Sequence, residues 1–106
     1  MNIAKKTFQP TGRTLRESIE NCARLYPDNG FTFMAMNGSE DWFSFTEIEP
    51  ETRRRAKALQ DQGLQKGDRV GLIIIEPKDF VLTFLAATRV GIVPVPLYPP
   101  MSMGEL

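Results

Sequence analysis

Apolar residues recur at helical spacing early in the chain: Leu15, Ile19, Cys22, Ala23 and Tyr26 share one face, and Pro27 stops the run. Just ahead, Thr14-Leu15-Arg16-Glu17 reads as a capping box, in which hydroxyl and carboxylate satisfy free backbone donors. From Phe31 to Met36 large apolar residues alternate with smaller ones, Asn37-Gly38 supplies a turn signal, and aromatics resume from Asp41 to Phe45. This predicts a β-hairpin, because Asn-Gly tolerates the positive φ of a tight turn. Thr46-Glu47-Ile48-Glu49 is a second capping box, opening a helix towards Gln62 with Ile48, Thr52, Ala56 and Leu59 as its buried stripe. Pro50 lies early in that helix, where a missing N–H costs least, and predicts an irregular first turn; Gly63 is placed to end it.

Gln65-Lys66-Gly67-Asp68 predicts a turn, and Val70 to Ile75 is a continuous, largely β-branched run of the kind found in parallel strands buried on both faces. Pro77 fits a helix's first turn, so Lys78 to Val90 should form a third helix, ended by Gly91. Phe80, Val81, Leu82, Phe84, Leu85, Ala86, Ala87 and Val90 leave it little polar surface, which predicts burial almost all round. Ile92 to Leu97 then completes a right-handed strand–helix–strand unit. Pro94 and Pro96 turn their missing N–H groups to one side, making that side an unpaired edge. Ser102-Met103-Gly104-Glu105-Leu106 reads as a third capping box with the first apolar residue of a helix. With the over-apolar third helix, it predicts a fragment whose cover lies elsewhere. The expected fold class is α/β: three helices, a β-hairpin and a parallel strand–helix–strand unit. The expected organisation is a lead segment, residues 1–13, and one incomplete domain, residues 14–106, truncated at the start of a further helix.

A length of 106 residues suits one small domain and falls short of a typical metabolic enzyme. Thirteen basic residues balance thirteen acidic ones, which gives no general electrostatic grip on nucleic acid or anionic lipid. The absence of His excludes a Ser-His or Cys-His pair and removes the commonest metal ligand. Cys22, the single cysteine, can form neither an internal disulfide nor a thiolate cage, and its place on an apolar stripe predicts core packing. Lys5 and Lys6 are followed by no apolar core, so the start is not a secretory signal, and no apolar run approaches the ~20 residues of a membrane span. A cytoplasmic, soluble protein is the expectation.

Few groups suggest chemistry. Phe31, Phe33, Trp42, Phe43 and Phe45 could form a base-stacking platform, but balanced charge favours aromatic packing across the hairpin. Arg53-Arg54-Arg55 fans over about 200° of a helix, and Glu49 and Glu51 stand four residues before Arg53 and Arg55, which predicts a solvated, ion-paired face. Gly67-Asp68-Arg69-Val70-Gly71 stands before a strand rather than between strand and helix, so it reads as a structural turn, with a local Asp68–Arg69 pair open to it, and not as a phosphate cradle. Glu47, Glu49 and Glu51 are too regular and exposed to suggest an acid–base pair. No catalytic, cofactor-binding or metal-ligating residue is therefore assigned.

Three segments carry a resemblance. Phe43-Ser44-Phe45-Thr46-Glu47-Ile48 resembles the first core motif of the adenylate-forming superfamily, where an aromatic strand runs into a helix. Gly63-Leu64-Gln65-Lys66-Gly67-Asp68-Arg69-Val70 is similar to the turn and strand that follow there, and Arg89-Val90-Gly91-Ile92-Val93-Pro94-Val95-Pro96-Leu97 resembles the second core motif. Within the superfamily, Pro96-Leu97-Tyr98-Pro99-Pro100 looks most like the fatty acyl-AMP ligases, relatives of the acyl-CoA synthetases. The resemblance implies a parent enzyme that uses ATP and magnesium to convert a fatty acid to an acyl-adenylate, then passes the acyl group to an acyl carrier protein. The family's phosphate loop, nucleotide-binding motifs and mobile C-terminal lysine would lie beyond Leu106, so the chain alone is expected to be inactive and to self-associate through its uncovered apolar helix. A fatty acyl-CoA synthetase fragment, or a non-catalytic interaction module on the same scaffold, is the alternative.

Overall fold

In the computed structural model, which describes residues 12–99, the order is α1 (Leu15–Leu25), β1 (Gly30–Met34), β2 (Glu40–Ser44), α2 (Phe45–Asp61), β3 (Arg69–Leu72), α3 (Pro77–Arg89) and β4 (Val93–Pro96). The third capping box, Ser102 to Glu105, and Pro100 lie outside the described residues. The α/β expectation holds: β1 and β2 pair antiparallel, and β3 and β4 pair parallel across α3.

Helix ends follow local chemistry. Thr14 Oγ1 accepts the Glu17 N–H at 3.1 Å, while the Glu17 carboxylate reaches back one residue further than a capping box requires, to the Arg13 N–H at 2.8 Å. At the end of α2, the Gly63 N–H donates to Gln60 O and the Leu64 N–H to Leu59 O; at the end of α3, Gly91 donates to Thr88 O and Ile92 to Ala87 O. Both are Schellman closures, and they require the positive φ of Gly63 (96°) and Gly91 (76°).

The hairpin differs from expectation in its turn. Only Gly38 has positive φ there; its N–H donates to Ala35 O, while the Asn37 carboxamide oxygen accepts from the Ser39 N–H and hydroxyl. The loop is thus longer than a two-residue Asn-Gly turn, and the strands end at Met34 and begin again at Glu40. Helix α2 also starts earlier than predicted. Ser44, not Thr46, is its cap and accepts the Glu47 N–H at 3.3 Å, which puts Phe45 in the helix and Pro50 inside it. The helix runs on through Pro50 without a break.

Phe33, Ile48 and Leu82 form the core, packed by Phe43, Phe45, Val81 and Leu85. Edge-on ring contacts join Phe31 to Phe33 and to Phe45, and Phe33 to Phe43, with centroids 5.5–6.0 Å apart. Trp42 does not join them: strand alternation turns it to the opposite face, where it stands across from Thr32 and is exposed. Ile48, Thr52 and Ala56 are buried as predicted, with Leu59 half-buried.

Helix α3 has no exposed residue, as its composition demands. The strand before it is shorter than the apolar run suggested and is buried on one face only. Val70 and Leu72 face inward, whereas Ile73 and Ile75, beyond the end of β3, are exposed. Val93 and Val95 stand on the same outer face as Arg69 and Gly71, and all four are exposed. In β4 the odd-numbered residues bond to β3, with Val93 N–H donating to Asp68 O and Leu97 N–H to Leu72 O. Pro94 and Pro96 therefore face the free edge, as expected.

Candidate functional site

The three segments singled out in the sequence converge on one junction. Phe43 to Ile48 runs from the end of β2 into α2, anchored where the Phe45 N–H donates to Asn29 O at 2.7 Å and the Thr46 hydroxyl to Pro27 O at 3.0 Å. Gly63 to Val70 supplies the closure of α2, a turn and the start of β3. That turn is held by the Asp68 carboxylate, which accepts the Gln65 N–H at 2.7 Å; the reading of a structural turn stands. Arg89 to Leu97 closes α3 and forms β4. The last two segments are tied directly: the Gly67 N–H donates to Gly91 O at 2.8 Å. A Cβ on Gly91 would lie 2.7 Å from Lys66 Cγ, so only glycine lets the Lys66 stem lie this close.

The helix that the first segment opens reaches this junction through Glu49, the residue just after that segment. Arg89 is buried, and its Nη2 lies 2.9 Å from Glu20 Oε1 on α1 and 3.0 Å from Glu49 Oε1 on α2. One guanidinium thus links α1, α2 and α3, while its Nη1 has no hydrogen-bond partner among the described residues. The sequence reading missed it. Its only signal is a cation in the last turn of an apolar helix, where it favours the helix dipole.

The arginine run is ion-paired as predicted, Arg53 to Glu49 at 2.5 Å and Arg54 to Glu51 at 2.6 Å. Arg55, however, is not on a solvated face. It is half-buried, holding Glu51 at 2.8 Å and crossing to α3 at Asp79 (2.9 Å) and the Thr83 hydroxyl (3.0 Å). Hydrogen bonds from Arg54 and then Arg55 hold the Glu51 carboxyl down at about 2. The Glu20 carboxyl is also lowered, chiefly by its hydrogen bond from Arg16, with the charges of Arg16, Arg89 and Arg53 adding. Carboxylates fixed in the ionised form by arginines are poor proton carriers near neutral pH.

Cys22 is half-buried and, with Leu15, Ile19, Phe31, Ile48 and Leu85, lines an apolar recess of about 150 Å³. A second cleft, of about 360 Å³, opens beyond the carboxyl ends of β3 and β4 between Ile74, Phe80, Pro96, Leu97, Tyr98 and Pro99. In open α/β sheets that end is the ligand-binding end, and here it offers apolar contact. Among the described residues no group of His, Cys, Asp or Glu could hold a metal ion, and no helix is long and apolar enough to cross a membrane. The Gly67 turn is not shaped as a phosphate cradle: its Gly67 N–H is spent on Gly91 O, and the Asp68 carboxylate is aimed at the turn's own backbone.

Comparison with known proteins places this junction in context. The family model described as AMP-binding enzyme matches residues 19–106. Fatty acyl-CoA synthetase A of Dictyostelium discoideum is 29% identical over 110 residues, covering 96% of this chain and 16% of that protein. A crotonobetaine/carnitine–CoA ligase of Salmonella paratyphi A is 28% identical over 87 residues, covering 81% of this chain and 17% of that protein. The chain thus spans about a sixth of the length of these relatives. Among solved structures, McyG A-PCP with phenylalanyl-adenylate superposes with a TM-score of 0.80 at 26% identity, over 91% of this chain and 17% of that one. The fatty acid AMP ligase from Legionella pneumophila superposes with a TM-score of 0.77 at 25% identity, over 86% of this chain and 16% of that one. The hairpin, the three helices and the parallel pair match an N-terminal subdomain of such adenylate-forming enzymes.

Proposed function

The chain belongs to the AMP-binding enzyme family, and from that premise we propose that residues 14–106 are the N-terminal part of a fatty acyl-AMP ligase. The whole enzyme would activate a fatty acid with ATP and magnesium, releasing pyrophosphate, and pass the acyl group from acyl-adenylate to the thiol of an acyl carrier protein. The part described here positions; it does not react. Its junction of two Schellman closures and the Arg89 linkage holds the α2, α3 and β3–β4 elements as one scaffold, while the groups that neutralise phosphate charge are supplied by the rest of the enzyme.

The observation that carries the choice of ligase is Pro96-Leu97-Tyr98-Pro99-Pro100, set where Pro96 to Pro99 line the carboxyl-end cleft. Likeness to the Legionella fatty acid AMP ligase supports it. The likeness to fatty acyl-CoA synthetase A favours a second reading, in which coenzyme A accepts the acyl group.

The two readings differ in the acceptor. The complete product of the gene encoding this chain, given fatty acid, ATP, magnesium and coenzyme A, is expected to accumulate acyl-adenylate and to discharge it onto a phosphopantetheinylated carrier protein. Rapid formation of acyl-coenzyme A would assign it to the synthetases instead. Residues 1–106 alone are expected to form no acyl-adenylate from labelled ATP; clear turnover would overturn the scaffold reading.

A further inference from the structure

We propose that the cleft between the start of α1 and the end of α3 is an anion site that takes a phosphate group, free or esterified. The cleft measures about 380 Å³, and Arg16, Lys66 and Arg89 line it together with Thr14 and no acidic residue. Cations from α1, from the turn before β3 and from α3 thus converge on one opening. Lys66 is held there by its stem, which lies against Gly91. The Thr14 hydroxyl accepts the Glu17 N–H and keeps its own hydrogen to donate. Helix α1 turns the positive end of its dipole to the same place. Glu17, the acid of its first turn, reaches back to the Arg13 N–H and stays off the lining.

Charge and an unspent donor point to the ligand. Arg16 Nε and Arg89 Nη2 share one oxygen, Glu20 Oε1, at 3.1 and 2.9 Å, and Arg89 and Arg53 share Glu49 Oε1. Three guanidinium groups are therefore served by two carboxylates, and Lys66 makes no ion pair among the described residues. The excess of two positive charges matches a phosphate group, which carries about −1.5 to −2 near neutral pH. The Arg89 side chain is only 6% exposed, and its Nη1 is the buried donor without a partner. A buried guanidinium N–H demands an acceptor, and the cleft that Arg89 lines is where an anion can reach it. Arg16 spends its Nε on Glu20 and keeps its terminal N–H groups for a second oxygen. Cationic donors from three sides suit a tetrahedral oxyanion better than a flat carboxylate. The site is built from residues of this chain alone and does not depend on which acyl acceptor the enzyme uses.

Amide chemical shifts of residues 1–106, followed by nuclear magnetic resonance as inorganic phosphate replaces sodium chloride at constant ionic strength, test it. Shifts at residues 14–16, Lys66 and residues 88–91 are expected to saturate with a Kd on the order of 1 mM. Lys66→Gln and Arg16→Gln, both at exposed positions, should each weaken binding about fivefold, while Arg24→Gln, at the other end of α1, should leave it unchanged. Glycerol phosphate binding more tightly than inorganic phosphate marks an esterified ligand, and weaker binding marks free phosphate. Shifts that fail to saturate by about 100 mM overturn the proposal, as does acetate binding as tightly as phosphate, or Lys66→Gln without effect. In the complete gene product, where a nucleotide site would also take phosphate, Lys66→Gln should remove part of the phosphate-induced rise in melting temperature. An equal rise in parent and variant would show that the rest of the enzyme closes the cleft, and overturns the proposal too.

Discussion

Replacing Arg89 by methionine keeps the apolar stem and removes the guanidinium that bonds Glu20 and Glu49. Taking one partner from a buried ion pair commonly costs about 3–5 kcal/mol, because the other charge stays buried and unpaired. Four features of this site lower the figure. Glu49 keeps Arg53 at 2.5 Å, Glu20 keeps Arg16 at 3.1 Å, and the Glu20 side chain is 40% exposed. Arg89 Nη1 is itself unpartnered, so its removal relieves a desolvation penalty of roughly 1 kcal/mol. The expected net loss is about 2 kcal/mol. Urea unfolding at fixed protein concentration, followed by circular dichroism, reads this directly; at roughly 1–1.5 kcal/mol per molar urea for so small a domain, the midpoint should fall by about 1.3–2 M. Arg16→Met is the control: its pair is on the surface, and it should change stability by no more than about 0.5 kcal/mol. If Arg89→Met proved as mild as Arg16→Met, the guanidinium would not be the link between the three helices.

Two further outcomes follow from the same geometry. The Glu51 carboxyl is depressed from its ordinary 4.5 to about 2 in the fold, so its contribution is fully present above 4.5 and is lost as pH falls from there through about 2; Glu51→Gln should flatten the fall of melting temperature in that window, and an unchanged slope would refute the pairing. Gly91→Ala should cost more than Gly63→Ala: both pay about 1–2 kcal/mol for left-handed backbone, but only Gly91 also meets a neighbour, Lys66 Cγ, at 2.7 Å, and equal thermal shifts would show the Lys66 contact to be immaterial.

What the sequence disclosed was what a few neighbouring residues decide. Thr14 with Glu17 announced α1, and Gly63 and Gly91 announced the ends of α2 and α3, since caps are satisfied within one turn. The start of α2 was ambiguous because Ser44 and Thr46 each stand three residues before a glutamate. Ser44 prevails through distant partners: Asn29 O takes the Phe45 N–H, and Pro27 O takes the Thr46 hydroxyl, leaving it no capping duty. The same holds for Val70 to Ile75, where an apolar run says that a strand wants cover and cannot say how much of it β4 will pair. Arg89 was least legible, since one of its partners lies 69 residues away on α1. For the candidate site, the three motif segments were readable as segments. Their meeting through Gly67 N–H and Gly91 O, and through Arg89, belongs to the packed molecule.

The two prolines of β4 have a consequence for amide exchange and for sheet growth. Val93, Val95 and Leu97 hold every amide proton from Val93 to Leu97, and register turns all three towards β3, while Pro94 and Pro96 offer none on the other side. The outer rim of β4 is thus a row of carbonyl oxygens with no donors between them. A strand arriving there could give hydrogen bonds but receive none, so half of every ladder step would be missing. In hydrogen exchange, β4 should behave as a strand without an edge, its protons all protected together and released only when β3 lets go.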